Sequence, residues 1–456
     1  MIIQMRKFLI LFLIFLFIQK IALAYDLVIP SEKKNYVNSR YAFFVGKAKR
    51  SEAITINDEH IYIAPNGAFA HSIKLKDGEN RILIRSNLNK NIYKFYKTTP
   101  NKTDVNILNE FDNQIYTVNN DNTPMRSTPV DYGMNRISHL FKDTFLIING
   151  SKGDFYRVYL SKNNYGWVKK TDVTAYNEDV KAPEFITMDS KTFKNASVHT
   201  IEFTEKIPYT IEEGDKEILF KAYNPFKDEN SVYTVNIRKP DKYYYKTTLN
   251  NGVYQFKINE FPKTENYTLE NITITIDPGH GGTELGAIGC LGDYEKDINL
   301  KIAGELSEIL KLMGANVVMT RECDGNLSLQ DRIDMAKEQC TNIFVSIHLN
   351  SIPDIKMNVH KNRGTSVYYY NKNSSELAKY IEKSVVSELG TRKDGVREAS
   401  FAVIRPTDYV SVLVEVAYMT NPIDSTLYTT EDFPRKAAQA IANGILDYVN
   451  SEKKCK

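Results

Sequence analysis

Two histidines and two glutamates stand at positions that a parallel sheet would bring together. His280 and His348 follow apolar runs, Glu415 lies near the end of a third such run, and Glu295 precedes a long amphipathic stretch. The carboxyl ends of parallel strands meet at one edge of a sheet, so we expect these side chains on one rim. Two imidazoles and one carboxylate make a three-ligand zinc site open to water, and the other carboxylate can serve as its base. The spacing does not decide which glutamate is the metal ligand and which is the base.

Strands and helices alternate from residue 272 onward, and this region must position the four side chains. Residues 272–276 are an unbroken run of Ile and Thr, as in a buried parallel strand, and 297–313 carries apolar residues at helical spacing. Ser328 with Asp331 predicts a capped helix start. Further predicted segments are strands at 316–320, 343–347, 365–370 and 410–416, and helices at 328–338, 375–389 and 433–449. We therefore predict an α/β catalytic domain over 270–452 with an open, mostly parallel sheet and helices on both faces.

The upstream part of the chain shows the short alternating runs of β-rich domains, so we predict a multidomain protein with N-terminal all-β modules. Residues 25–100 resemble an immunoglobulin-like β-sandwich, with turn signals at Asn66-Gly67 and Asp77-Gly78. The polar stretch 102–121 suits a linker. Residues 181–268 predict a β-rich accessory domain, in which Tyr254, Phe256 and Ile258 share one face.

Residues 120–176 resemble a bacterial Src-homology-3-like barrel. The resemblance rests on Pro124-Met-Arg-Ser-Thr-Pro129, on 144–148 and on Tyr165-Gly-Trp-Val168. We expect Trp167 to fill the core of this barrel rather than to bind a ligand.

The first 24 residues have the three parts of a secretory signal peptide. Arg6 and Lys7 precede an apolar run over 8–18, and Ala22-Leu-Ala24 is a small-residue cleavage site. We expect a secreted, extracytoplasmic protein, wall-associated or periplasmic, with no stable membrane span after cleavage. The segment holds three of the 59 basic residues and no acid, so the mature chain has 56 basic and 56 acidic residues. This balance gives no electrostatic case for nucleic-acid binding, and we expect a monomer.

Four cysteines occur, and none of them lies in a C-x-x-C pair, which excludes a structural zinc finger. Spacing leaves open one disulfide or free thiols among Cys290, Cys323, Cys340 and Cys455.

Residues 272–450 resemble the zinc-dependent N-acetylmuramoyl-L-alanine amidases. The motifs, in order, are Asp277-Pro-Gly-His-Gly-Gly282, Gly286-Ala287, Glu295-Lys296, Thr320-Arg321, Ser328-Leu-Gln-Asp-Arg332, Ser346-Ile-His-Leu-Asn-Ser351 and Leu413-Val-Glu415. The resemblance implies zinc ligands at His280, Glu295 and His348, a catalytic glutamate at Glu415, and peptidoglycan as the substrate. It also implies that Asp277 orients the His280 imidazole or its loop. Two departures, Ala417-Tyr418 and Ala336-Lys337, touch none of the implied ligands.

Three other functions compete with this interpretation. A zinc peptidase acting within the stem peptide would use the same metal chemistry, and only its products would differ. A catalytically inactive wall-binding protein or an adhesion scaffold would have no need of the complete set of four residues.

The remaining features near the rim are less specific. Arg405 and Asn350 could contact substrate or be solvated. The segment between Ser351 and Gly364 is short and polar, which predicts an open cleft without a blocking helix. We expect ordinary polar roles for the other histidines, His60, His71, His139, His199 and His360.

Overall fold

The computed structural model describes residues 25–87, 89–98, 107–250, 252–264, 267–351 and 362–451. The predicted signal peptide, most of the segment between Ser351 and Gly364, His360 and Cys455 lie outside the described residues. Among the described cysteines, Cys290 is buried and Cys323 and Cys340 are exposed, all as free thiols.

The N-terminal region forms two sheets around one apolar core. Their strands are β1 (Tyr25–Ile29), β2 (Lys34–Val37), β3 (Tyr41–Ala48), β4 (Thr55–Ile56), β5 (Glu59–His60), β6 (Ala68–Lys74), β7 (Gly78–Arg85) and β8 (Lys90–Lys97). The strand orders are β1-β3-β6 and β2-β8-β7-β4-β5. Phe44 and Phe69 from the first sheet meet Ile84 and Phe95 from the second, so the shared core lies between the sheets.

A seven-stranded sheet follows, with the order β11-β10-β14-β13-β12-β9-β15. Its strands are β9 (Asn109–Val118), β10 (Thr123–Arg126), β11 (Arg136–Leu140), β12 (Phe145–Lys152), β13 (Phe155–Ser161), β14 (Asn164–Lys169) and β15 (Val173–Ala175). The linker prediction for 102–121 is therefore wrong, because β9 occupies residues 109–118 of it. The polar first half of β9 is largely exposed, whereas Tyr116 and Val118 are buried.

The expected core position of Trp167 is also wrong. Successive strand residues point to opposite faces, and Gly166 and Val168 of β14 point inward. Trp167 is only partly buried as a result.

Seven more strands form two sheets whose core merges with that of the seven-stranded sheet. The strands are β16 (Phe185–Phe193), β17 (Ala196–Phe203), β18 (Tyr209–Glu213), β19 (Glu217–Tyr223), β20 (Val232–Arg238), β21 (Tyr243–Asn250) and β22 (Val253–Glu260). Their orders are β16-β17-β22-β21 and β18-β19-β20. The predicted inward face of Tyr254, Phe256 and Ile258 is confirmed, since all three are buried. Met125 and Leu140 belong to the same apolar cluster as Tyr254 and Phe256.

The C-terminal unit is a six-stranded mixed sheet with the order β24-β23-β25-β28-β26-β27. Its strands are β23 (Thr273–Pro278), β24 (Asn316–Met319), β25 (Ile343–Asn350), β26 (Thr365–Tyr369), β27 (Lys393–Glu398) and β28 (Val410–Tyr418). Its helices are α1 (Glu295–Leu312), α2 (Leu329–Glu338), α3 (Ser375–Leu389), α4 (Pro422–Tyr428) and α5 (Phe433–Asn450). All strand pairs are parallel except β26 with β28.

Helices cover both faces of this sheet. Helices α1, α3 and α5 pack with Val345 and Val412 on one face, while α2 packs with Phe344 and Leu413 on the other. The predicted capping box at Ser328 is present, with Asp331 as its reciprocal partner. The sequence patterns of this unit did not predict β27 or α4. None of the helices in the described ranges is long and apolar enough to cross a membrane.

Candidate active site

His280 lies in the loop that follows β23, which pairs with β24 on one side and β25 on the other. Its backbone has φ 60°, in the left-handed region, and Gly281 and Gly282 continue with positive φ. A Cβ on the preceding Gly279 would lie 2.2 Å from Cε1 of His348, so only glycine permits this approach. The loop thereby brings the His280 and His348 rings to a centroid separation of 4.9 Å.

Glu295, the first residue of α1, places its carboxylate between the two imidazoles. Its Oε2 is 3.2 Å from Nε2 of His280, and its Oε1 is 2.9 Å from Nδ1 of His348. One side-chain atom from each residue lies within 4.8 Å of the others. We call His280, Glu295 and His348 the candidate metal cluster. The three residues that the sequence predicted as ligands are thus together in space.

Backbone and side-chain donors hold the Glu295 carboxylate in place. The amides of Ala287 and Leu349 donate to it at 2.8 and 3.2 Å. Asn299 donates to the same carboxylate and to the Gly279 carbonyl, both at 3.3 Å. The sequence interpretation missed Asn299, although its position four residues after Glu295 puts both on one helix face.

Glu295 and His348 shift each other's pKa. Burial by itself raises the pKa of Glu295, but hydrogen bonds from His280 and His348 outweigh it and hold the pKa well below its usual range. Burial lowers the pKa of His348, yet Glu295, Glu415 and Asp277 raise it to a net value above normal. The structure therefore favours an ionised carboxylate beside His348.

Glu415 lies on β28, directly beside His348 in the register of the two parallel strands. Its Oε2 is buried and has no hydrogen-bond partner. Burial raises the pKa of Glu415 to about 8, with a further contribution from the Glu295 charge, while His348 lowers it. A buried carboxyl without a partner is costly, and a cation or a proton would remove that cost.

A buried ion-pair network holds the His280 loop rather than its ring. Asp277 accepts hydrogen bonds from Thr320, Ser346 and Arg332. Arg332 also donates to the Pro278 and His280 carbonyls, at 2.9 and 2.8 Å. Of the two roles expected for Asp277, the contacts support orientation of the loop.

A cavity of about 620 Å³ opens beside His280 and His348. Apolar residues of the segment Phe401–Val403 and Leu413 form one wall, and Asn326 and Leu329 form another. A larger cavity of about 970 Å³ lies between β22 and the end of α5, far from the candidate metal cluster in the fold, and contains none of its residues. The smaller cavity is therefore the candidate substrate cleft.

The other residues that the sequence analysis considered lie outside the candidate metal cluster. Asn350 ends β25, whereas Arg405 follows the cleft segment and donates to the Ser400 carbonyl at 2.8 Å. His139 and His199 contact polar side chains, as expected for ordinary polar residues.

The donor set of the cluster fits a zinc ion. Two imidazoles and one carboxylate are common zinc ligands, and neighbouring ligand atoms of a tetrahedral ion lie about 3.3 Å apart. The measured separations of 3.2 and 2.9 Å between the carboxylate oxygens and the imidazole nitrogens are close to this value.

Comparison with known proteins places residues 274–447 in the family described as N-acetylmuramoyl-L-alanine amidase. The germination-specific N-acetylmuramoyl-L-alanine amidase of Bacillus subtilis is 32% identical over 213 residues, which cover 43% of this chain and 87% of that protein. The uncharacterised B. subtilis protein YqiI is 41% identical over 184 residues, which cover 40% of this chain and 86% of YqiI.

Another relative is covered over a smaller share of its length. The N-acetylmuramoyl-L-alanine amidase LytC of B. subtilis is 39% identical, and the match covers 39% of this chain but 35% of LytC. Among solved structures, the amidase AmiC2 of Nostoc punctiforme is 35% identical, with 40% of this chain and 98% of that chain covered and a TM-score of 0.38.

Proposed function

The chain belongs to the N-acetylmuramoyl-L-alanine amidase family, and we propose that it uses zinc to hydrolyse the amide between N-acetylmuramic acid and L-alanine in peptidoglycan. One observation carries the mechanism: the Glu295 carboxylate lies between two imidazoles, and Glu415, whose buried Oε2 has no hydrogen-bond partner, lies on the neighbouring strand.

His280, Glu295 and His348 would hold the zinc ion. When bound, zinc polarises the scissile carbonyl and the attacking water. Asn299 and the amides of Ala287 and Leu349 keep the Glu295 carboxylate oriented. Arg332 keeps the loop of His280 in position through its contacts with backbone carbonyls. This support reduces the reorganisation needed during the reaction.

Glu415 would act as the general base and then as the acid. It takes a proton from water as the water oxygen attacks the amide carbon, and it returns that proton to the departing nitrogen. The carbon–nitrogen bond breaks, giving a carboxylate on the lactyl group of the sugar and a free amino group on L-alanine. Burial raises the pKa of Glu415, which favours the protonated acid, and the positive charge of a bound cation would lower it and favour the base.

The other parts of the chain are proposed to deliver this chemistry to the wall. Residues 1–24 would direct secretion, and the protein would act as a monomer outside the cytoplasm. The proposed units are an immunoglobulin-like sandwich over 25–100, a Src-homology-3-like barrel over 120–176, an accessory β domain over 181–268 and the catalytic domain over 270–452. Because β9 pairs with β12 and β15, we propose to extend the barrel to include it.

The test is mass spectrometry of purified peptidoglycan digested by the full-length, zinc-loaded protein. We expect released stem peptides with a free L-alanine amino terminus and glycan strands of unchanged mass. Glu415→Gln should retain zinc but lose roughly 10²- to 10⁴-fold in turnover, because only the proton acceptor is removed.

Glu398→Gln, an exposed acid at the end of β27, is the matched control and should keep wild-type turnover. New amino groups inside the stem peptide would instead establish a peptidase. Wild-type turnover by Glu415→Gln would disprove the role given to Glu415.

A further inference from the structure

A second group of charged side chains lies where the seven-stranded sheet meets the catalytic unit. Arg126 and Arg136, with His139, come from β10 and β11, and Arg405 comes from the segment that follows the cleft wall. We call these four residues the arginine cluster. The contact between the two units is close, because a Cβ on Gly133 would lie 2.4 Å from Cβ of Ser400.

Two of the three guanidinium groups, those of Arg136 and Arg405, have only neutral hydrogen-bond acceptors among the described residues. Arg136 donates to Nε2 of His139 at 3.3 Å, and its Nε is buried without a hydrogen-bond partner. Arg405 donates to the carbonyl and hydroxyl of Ser400, which are neutral acceptors. Asp131 is the carboxylate whose charge acts on Arg136, and it already pairs with Arg126 and Lys169.

The pKa shifts of His139 and Tyr370 agree with this excess of positive charge. Burial and the three arginines lower the pKa of His139 to about 3, so its ring is neutral. Burial raises the pKa of Tyr370, while the charges of Arg136 and Arg405 act in the opposite direction. Tyr370 therefore lies close enough to both arginines to feel their charge.

The cluster adjoins the candidate substrate cleft through one short segment of chain. Phe401, Ala402 and Val403 line the cleft beside His280. At the ends of this segment, Ser400 lies against Gly133, just before β11, and Arg405 is close enough to Arg136 for their charges to interact. Tyr370 packs against the same apolar group as Val403 and Ile404. Arg136 and Arg405 are each partly exposed, although Nε of Arg136 is buried.

We propose that Arg136 and Arg405 form a carboxylate-binding subsite for the stem peptide of peptidoglycan, built jointly by the upstream β sheet and the catalytic unit. The inference rests on the proposed function. Cleavage at L-alanine leaves the stem peptide extending away from the metal cluster, and the stem carries carboxylates whereas the glycan amides and hydroxyls are neutral. A planar guanidinium matches a carboxylate with two parallel hydrogen bonds.

The experiment compares two soluble probes with the full-length, zinc-loaded protein: an N-acetylmuramoyl-tetrapeptide with free stem carboxyls, and the same molecule with those carboxyls amidated. For the wild type we expect KM to be about tenfold higher for the amidated probe, with kcat changed less than about twofold. This comparison uses only the wild-type protein, so a misfolded variant cannot account for its result.

Variants then test which residues cause the lower KM for the probe with free carboxyls. Arg136→Gln and Arg405→Gln should each raise KM for the free probe about tenfold and leave KM for the amidated probe unchanged. Arg136→Lys should recover part of the loss, because it keeps the charge but not the fork geometry. Arg157→Gln, on β13 of the same sheet and paired with Glu110, is the control and should change neither constant.

Several results would contradict the proposal of a carboxylate-binding subsite. Equal KM for both probes with the wild type would do so, as would an equal loss on both probes in the arginine variants. Inhibition by polyglycerol phosphate that Arg136→Gln relieves, without any carboxylate preference, would assign the cluster to a wall phosphate polymer instead. Failure of the wild type to cleave either probe or whole peptidoglycan would contradict the proposed function itself, a separate outcome.

Discussion

The candidate metal cluster and the arginine cluster both surround a histidine with charged groups, yet the two histidines behave in opposite ways. Near Glu295 and Glu415 the pKa of His348 is raised, although burial acts to lower it. Among Arg126, Arg136 and Arg405 the pKa of His139 falls to about 3, because burial and the positive charges act together.

The difference shows that the sign of the neighbouring charge decides what a buried imidazole can do. A histidine beside a carboxylate is suited to a cation, because the carboxylate supplies negative charge and a further ligand atom. A histidine among arginines stays neutral, and the surrounding guanidinium groups are left to attract an anion. Two regions that each contain a histidine therefore predict ligands of opposite charge.

The largest expected effect comes from removing the carboxylate of the metal cluster. Glu295→Ala should lower the apparent zinc affinity by at least about 100-fold, since even outer partners of metal ligands contribute 10- to 100-fold. Competition with a chromogenic chelator measures this affinity. Glu305→Ala, an exposed acid on the same helix, is the control. Full zinc occupancy in Glu295→Ala at low free zinc would exclude the ion from this cluster.

Replacing His348 and His139 one at a time tests the comparison directly. His348→Gln should lose bound zinc and about 100-fold or more in wall digestion, because one proposed ligand is gone. His139→Gln should retain zinc and keep activity on whole wall within about threefold, because glutamine can still accept from Arg136. Metal analysis and turbidity assays on purified wall give both quantities. Similar losses in the two variants would refute the distinction.

The pH dependence of stability gives a smaller and independent effect. Unfolded His139 binds a proton near pH 6.5, whereas the folded chain resists protonation until about pH 3. Acidification across this window therefore favours unfolding, by up to about 1.4 kcal/mol for each pH unit. Relative to wild type, His139→Gln should gain stability progressively as pH falls from 6.5 to 4. Urea unfolding at several pH values measures this, with His60→Gln as the exposed control; parallel curves would contradict it.

The smallest effect is expected at Asp131, the carboxylate beside the arginines. Its side chain is 56% exposed, so its ion pairs with Arg126 and Lys169 are screened by water. Asp131→Asn should lower the free energy of unfolding by about 1 kcal/mol or less at pH 7 and leave zinc content unchanged. A loss of several kcal/mol in urea unfolding would mean that this one carboxylate holds the cluster together.

Much of the catalytic unit follows from local sequence patterns. The β-branched run at 272–276, the capping box at Ser328 and the apolar run before Glu415 each correspond to an observed element. Elements without such a pattern were missed: β27 is polar and partly exposed, and α4 is a short helix that depends on the Asn421 cap. The prediction for β9 was wrong because its first half is polar, and the prediction for Trp167 was wrong because Gly166 and Val168 take the inward positions of β14.

The sequence by itself determined that His280, His348 and Glu415 follow or end apolar strands, and parallel pairing then brings such strand ends to one rim. Only the tertiary structure decided the surroundings of His139 and Arg405, because they belong to different units and no local pattern connects them. Periodicity specifies which face of an element is buried. Electrostatic interaction depends on separation in space, and the charge of Arg405 acts on His139 only when the β sheet packs against the catalytic unit.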